Sequence, residues 1–172
     1  MTSAKFLQTM KRWFFITTLL VIISTLPSCA QTERPAQGKL TWYTSLAEAQ
    51  KVSNSTKKPI FAFFTGSDWC GWCMRLQKEV FYLPEFAKWA KENVILVELD
   101  FPRRKALSPE LQKQNAELQQ MFNVEGYPTV WFVTPTMKDG KVSLGQLGKT
   151  GYVAGGPQVW IDGAKAILKN KK

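Results

Sequence analysis

Cys70 and Cys73 are the residues of this chain best suited to chemistry. Two thiols three positions apart can close a disulfide with each other or exchange one with another molecule. The chain holds three cysteines and no histidine. Without histidine, Ser–His–Asp and Cys–His catalysis are excluded. A zinc site needs four ligands, and Cys29 is the only further cysteine, so metal binding within one chain is the weaker reading of the pair. A purely structural disulfide across one helical turn closes a very small loop and constrains little of the unfolded chain. Redox exchange is the reading that uses the spacing.

Exchange needs one reachable thiolate and one shielded partner. Ile60-Phe61-Ala62-Phe63-Phe64 is an apolar run between Pro59 and Gly66, the pattern of a strand buried on both faces. After Cys70 the period changes, and Cys73, Leu76, Val80 and Phe81 fall on one helical face. The pattern predicts a helix from Cys70 to about Val80, with Cys73 toward the core and Cys70 at the helix start near solvent. The unpaired N–H groups of a helix start favour a thiolate over a thiol. Cys70 is therefore expected to attack a substrate disulfide, and Cys73 to resolve the mixed disulfide.

The elements that must hold this pair read as follows. Residues 40–43 form a short first strand. Ser45-Leu46-Ala47-Glu48 is a capping box opening a helix to about Ser53. Pro84 ends the cysteine helix, and Phe86, Trp89 and Ala90 carry a second helical segment to Asn93. Residues 94–99 are a strand. A basic connection over 101–107, with Arg103-Arg104-Lys105, leads to Ser108 and Pro109 as cap and first turn of a helix, which would place Leu111, Leu118 and Met121 inward. Residues 129–133 form a strand, 135–141 a turn around Asp139-Gly140, and 142–149 the next strand. Pro157 opens a last helix with Trp160, Ala164, Ile167 and Leu168 on one face. The order β-α-β-α-β-α-β-β-α predicts an α/β fold with a central mixed β-sheet flanked by helices.

Trp69-Cys70-Gly71-Trp72-Cys73 after an apolar strand, followed in order by Gly126-Tyr127-Pro128-Thr129 before a later strand, resembles the thioredoxin superfamily, and within it the exported single-domain proteins of bacteria. The resemblance spans roughly residues 40–168. It implies a thioredoxin-like fold and a cis Tyr127–Pro128 bond beside the cysteines. It also implies catalysis by Cys70 and Cys73, with Trp69, Trp72, Tyr127 and Pro128 contacting an extended substrate chain by a form of strand addition. Two departures bear on redox poise. The family's buried acid, six positions before the first cysteine, is replaced here by Phe64, and the dipeptide between the cysteines is Gly-Trp. Glu98 is the remaining candidate for a proton acceptor, and Asp68 reads as an exposed loop residue.

Residues 1–30 differ from the rest. Lys5, Lys11 and Arg12 form a positive start with no acid, and residues 13–26 are mostly apolar, too short a run to span a bilayer comfortably but suited to a signal peptide. Ser28-Cys29-Ala30 fits ordinary cleavage, whereas Leu26-Pro27-Ser28-Cys29 resembles a lipoprotein box that would make Cys29 a lipid anchor. Residues 31–39, with Pro35 and Gly38, read as a spacer, and 40–172 as the thioredoxin-like domain. Export to the periplasm, free or membrane-anchored, would leave Cys70 and Cys73 in a compartment where disulfides persist. The formal charge of +10 reads as solvated surface with a weak preference for acidic partners or membrane surfaces; no nucleic-acid motif accompanies it. No cofactor motif is present, so electrons are expected from a membrane or periplasmic redox partner, and the substrates are proteins with disulfides or thiols. Two other readings use the same residues. One is a binding module that chaperones chains or carries a metal on the dithiol without turnover. The other is a tethered electron relay with one dedicated partner.

Overall fold

The computed structural model describes residues 40–138 and 141–171. The leader, the spacer, Cys29 and the Asp139-Gly140 turn lie outside the described residues. Five strands form one mixed sheet in the order β1-β3-β2-β4-β5. They are β1 (Trp42–Tyr43), β2 (Ile60–Thr65), β3 (Ile95–Asp100), β4 (Thr129–Lys138) and β5 (Lys141–Thr150). β1 and β2 both run parallel to β3, while β4 runs antiparallel to β2 and β5 antiparallel to β4. The helices are α1 (Leu46–Thr56), α2 (Gly71–Leu76), α3 (Pro84–Asn93), α4 (Pro109–Met121) and α5 (Gly156–Leu168). This is the expected thioredoxin-like α/β architecture.

Helix starts sit where the sequence signals them. The Ser45 hydroxyl accepts from the Glu48 amide at 3.4 Å and the Ser108 hydroxyl from the Leu111 amide at 3.3 Å, each satisfying one orphan donor of a helix start. Pro84 and Pro109 stand in the first turns of α3 and α4, where a missing N–H costs nothing.

β2 is buried along its whole length, and its side chains alternate between two cores. Phe61 and Phe63 join Leu76, Phe81, Phe86, Phe132 and Trp160 on the face covered by α2, α3 and α5, together with both cysteines. Ile60, Ala62 and Phe64 join Val97, Leu99, Leu118 and Phe122 on the face covered by α1 and α4.

Three expectations are corrected. The cysteine helix does not run as α-helix to Val80. After Leu76 it widens into a π-helical turn, Gln77–Phe81, which still buries Val80 and Phe81. Met121 is not inward but 59% exposed. The inward face of α4 instead runs through Leu118 and the buried Asn115, whose amide donates to the Asp100 carbonyl at 2.9 Å. Residues 135–138 are not turn but strand, for β4 continues with β5 as a two-stranded ribbon beyond Val133, its last partner on β2. Pro135 is tolerated there because no β2 residue pairs with it. Gly148 stands at a bulge opposite Phe132 with φ of 153°, and a Cβ there would lie 2.9 Å from Ile167 of α5.

Candidate active site

The pair sits where β2 hands over to α2. Cys70 is the N-cap residue of α2, in extended conformation, and Cys73 lies in its first turn. The two sulfurs are bonded at 2.03 Å, with Cα atoms 5.2 Å apart. The Cys73 amide points at the Cys70 sulfur, 3.1 Å away. Cys73 is fully buried. Cys70 is only 6% exposed, which corrects the expectation of a solvent-facing thiol, because the loop before it folds over. The Cys70 amide donates to the Gly66 carbonyl at 2.9 Å. Gly66 is required in this turn, since a Cβ would overlap the Trp69 indole.

Trp69 is held from three sides. Its indole N–H donates to the Phe101 carbonyl at 2.7 Å. Its ring meets Tyr127 edge to face, with centroids 5.7 Å apart. The Arg103 guanidinium lies over it, 3.9 Å from the ring centroid. Tyr127 precedes Pro128 through a cis peptide bond, as the resemblance implied, and its hydroxyl accepts from the Gln119 side chain at 2.9 Å. Burial pushes that hydroxyl above its ordinary pKa. The structure thus gathers Trp69, Cys70, Cys73 and Tyr127, with Pro128 next in the chain.

Trp72 stands on the other rim. It is 55% exposed and packs on Tyr152 with ring centroids 5.1 Å apart. The Arg75 guanidinium lies over both rings, at 5.3 and 5.2 Å. Glu79 ties this group together, accepting from Arg75 Nε at 2.8 Å and from the Tyr152 hydroxyl at 2.6 Å. The Tyr152 hydrogen bond, with that of Arg75, holds the Glu79 carboxyl below its usual range. Sequence reading missed Tyr152 and Glu79, which are 73 positions apart in the chain.

Asp68 is more than an exposed loop residue. It is half-buried, and its carboxylate accepts from the backbone amides of Arg103, at 3.0 and 3.2 Å, and Arg104, at 2.7 Å. Those amides hold its carboxyl below the usual range. Ser67 adds a second tie, its amide and hydroxyl donating to Asp100 at 2.8 and 2.6 Å. The basic connection 101–107 is therefore fastened to the cysteine loop.

Phe63 shares the core that holds the pair, whereas Phe64 faces the α1–α4 side. Phe63 pairs in register with Glu98 on β3. Glu98 lies in a cleft of about 240 Å³ lined also by Trp42, Phe63, Gln77, Phe81 and Tyr82. Desolvation, aided by the Asp100 charge, pushes its carboxyl above the usual range.

A five-stranded mixed sheet with a two-cysteine disulfide at the start of a helix, and a cis proline immediately before β4, defines a thioredoxin-fold redox protein. The chain belongs to the thioredoxin-like domain family, whose signature matches residues 46–155. It is homologous to the disulfide bond reductase DsbH of Chlamydia pneumoniae, 35% identical over 159 residues that cover 86% of this chain and 91% of that protein. The thioredoxin-related protein DsbJ of the same organism is 29% identical over 119 residues, 69% of this chain but 34% of its own length. Among solved structures, a DsbH oxidoreductase superposes with a TM-score of 0.67 at 34% identity, covering 81% of this chain and 92% of that one. A thioredoxin from Thermus thermophilus shares the fold, with a TM-score of 0.54 at 16% identity over 77% of this chain and 90% of its own.

Proposed function

We propose that this chain is an exported thiol–disulfide oxidoreductase that reduces or isomerises disulfides of other proteins through Cys70 and Cys73. The observation that carries the reading is the closed Cys70–Cys73 disulfide at the start of α2, with Cys70 as its cap and Cys73 sealed behind it. Homology to a disulfide bond reductase supports it.

In the reduced protein the Cys73 amide, aimed at the Cys70 sulfur, would stabilise a thiolate there. That thiolate attacks one sulfur of the substrate disulfide. The S–S bond breaks, and the leaving substrate thiolate takes up a proton. Cys73 then loses its proton and attacks the Cys70 sulfur of the mixed disulfide, releasing the second substrate thiolate and leaving the oxidised pair described here. Substrate gains two electrons and two protons. Both must be restored by the dithiol of a second protein, a membrane or periplasmic redox partner. Trp69, Trp72, Tyr127 and Pro128 form the surface on which the substrate chain lies.

Export is supported by the positive start and apolar stretch of residues 1–30, followed by a spacer over 31–39 and the domain from residue 40. Cleavage after Ala30, lipid attachment at Cys29 and retention as an uncleaved anchor are the three outcomes open to that leader, with simple cleavage favoured. Among the described residues no helix is long and apolar enough to cross a membrane.

The test is the pair of single serine variants, with dithiothreitol as electron source and a disulfide-bonded protein as substrate. Cys70→Ser abolishes turnover. Cys73→Ser turns over poorly and accumulates a mixed disulfide, seen as a mass increase of one substrate molecule. Wild-type turnover by Cys70→Ser overturns the mechanism.

A further inference from the structure

We propose that Arg103 and Arg104 make this site selective for substrate chains that carry carboxylates within a few residues of the reacting cysteine. The inference rests on the oxidoreductase reading and names the substrate class for that same site.

The two rims of the cysteine pair differ in how their guanidinium groups are paired. On the Trp72 side the guanidinium of Arg75 is ion-paired with Glu79 at 2.8 Å, and the remaining cation next to Glu79 is the exposed Lys78, an ammonium without the planar fork of an arginine. On the Trp69 side Arg103 and Arg104 are exposed, and among the described residues neither guanidinium forms an ion pair. The carboxylate nearest them in the fold, Asp68, directs its oxygens at their backbone amides instead. Lys105, next in the chain, is paired with Asp100 at 3.0 Å and contributes little. The guanidinium groups left unpaired beside the disulfide are therefore those of Arg103 and Arg104, with the Asp68 carboxylate at their backbone offsetting part of their charge.

These groups are also held in place. The Asp68 carboxylate fixes their backbone, and the Trp69 ring carries the Arg103 side chain at 3.9 Å. Trp69 is the immediate neighbour of Cys70, so Arg103 lies about one indole width from the line a substrate chain must follow. An extended chain advances about 3.3–3.6 Å per residue. A carboxylate roughly two to four residues from the substrate cysteine then reaches the guanidinium while that cysteine meets Cys70. Guanidinium and carboxylate are matched as planar, bidentate partners. A lysine at the same place in the substrate would meet like charge. The effect falls mainly on association rate, where charge complementarity acts most strongly.

The experiment is single-turnover reduction of disulfide-bonded peptides by the pre-reduced protein, followed by tryptophan fluorescence. Three peptides share one disulfide core and carry glutamate, glutamine or lysine flanks. The wild type is expected to react with the glutamate peptide about tenfold faster than with the lysine peptide at low ionic strength. That ratio should fall toward one as salt shortens the screening length to about 3 Å near 1 M. The Arg103→Gln/Arg104→Gln double variant should lose the preference, and Arg103→Lys with Arg104 intact should keep most of it. Equal rates for the three peptides in the wild type, or a preference that survives the double variant, overturn the proposal and leave the oxidoreductase reading standing. Failure of the wild type to reduce any of the three, the glutamine peptide included, sinks that reading and the selectivity with it. The salt series uses the wild type alone, so a double variant that fails to fold does not remove the test.

Discussion

Asp68 illustrates what a single side chain does at this site. Two positions before Cys70, it ties the cysteine loop to residues 103 and 104, more than thirty positions away, through hydrogen bonds of 2.7 to 3.2 Å. An ionised acceptor makes such bonds stronger than a neutral one. Asp68→Asn keeps the size and loses the charge. We expect faster hydrogen exchange at the Arg103 and Arg104 amides in that variant, with the amides of β2 unchanged; equal exchange would show that the Trp69 and Ser67 contacts suffice to hold the loop. Glu98 makes the opposite kind of prediction. Its carboxyl is pushed above the ordinary value of 4.5 chiefly by burial, with Asp100 adding to it. A raised carboxyl means that the folded state holds the proton more tightly than the unfolded chain does. The associated stability is fully present below about the ordinary value and is lost as pH rises through the folded one. Glu98→Gln removes that loss. The variant should gain thermal stability relative to wild type above the folded value, and the gap should close as pH falls toward 4.5. A gap that widens on acidification would contradict the assignment.

At the scale of elements, legibility followed local signals. Ser45, Ser108, Pro84, Pro109 and Pro157 mark helix starts because capping and proline geometry act within a few residues, and each start lies at or next to its signal. β2 and the cysteine pair were readable for the same reason. What was not readable depends on contacts between distant segments. The side of β2 that faces the cysteines, and so the choice of Phe63 over Phe64, is decided by the turn at Gly66 and the packing of Trp69. The extension of β4 through Pro135 depends on β5 alone. The rim built from Trp72, Tyr152, Arg75 and Glu79 joins α2, its π-helical continuation and the segment after β5. Gly148 tests this level. It combines a φ of 153° with a Cβ position 2.9 Å from Ile167, so Gly148→Ala strains the bulge and pushes α5 off the sheet. Strained backbone of this kind costs on the order of 1–3 kcal/mol, to be read as a shift of the denaturant midpoint. An unchanged midpoint would mean that the bulge relaxes freely.

For the whole molecule, the sheet separates two cores, bridged at the site by Tyr127, and β2 supplies both. Phe63 contributes to the core that contains Cys73 and Leu76, packing its ring on Phe81 at 5.1 Å. Phe64 contributes to the other core, against Phe101 and Phe122. The two residues are adjacent, chemically identical and equally sealed from water, at 2% and 0% exposure. Replacing either by leucine removes three carbons and the ring contacts from a sealed core and should destabilise the fold by about 1–3 kcal/mol. Their redox consequences should differ. The dithiol–disulfide equilibrium depends on how the surroundings of Cys73 and α2 fit the two states. Phe63 belongs to the core that holds Cys73 and Leu76, and Phe64 does not. We therefore expect similar losses of stability from Phe63→Leu and Phe64→Leu, with a changed equilibrium constant against dithiothreitol in Phe63→Leu alone. Equal redox shifts in both variants would show that the sheet transmits packing changes across its thickness. In that case Cys70 and Cys73 would be tuned by the whole domain, not by the layer they occupy.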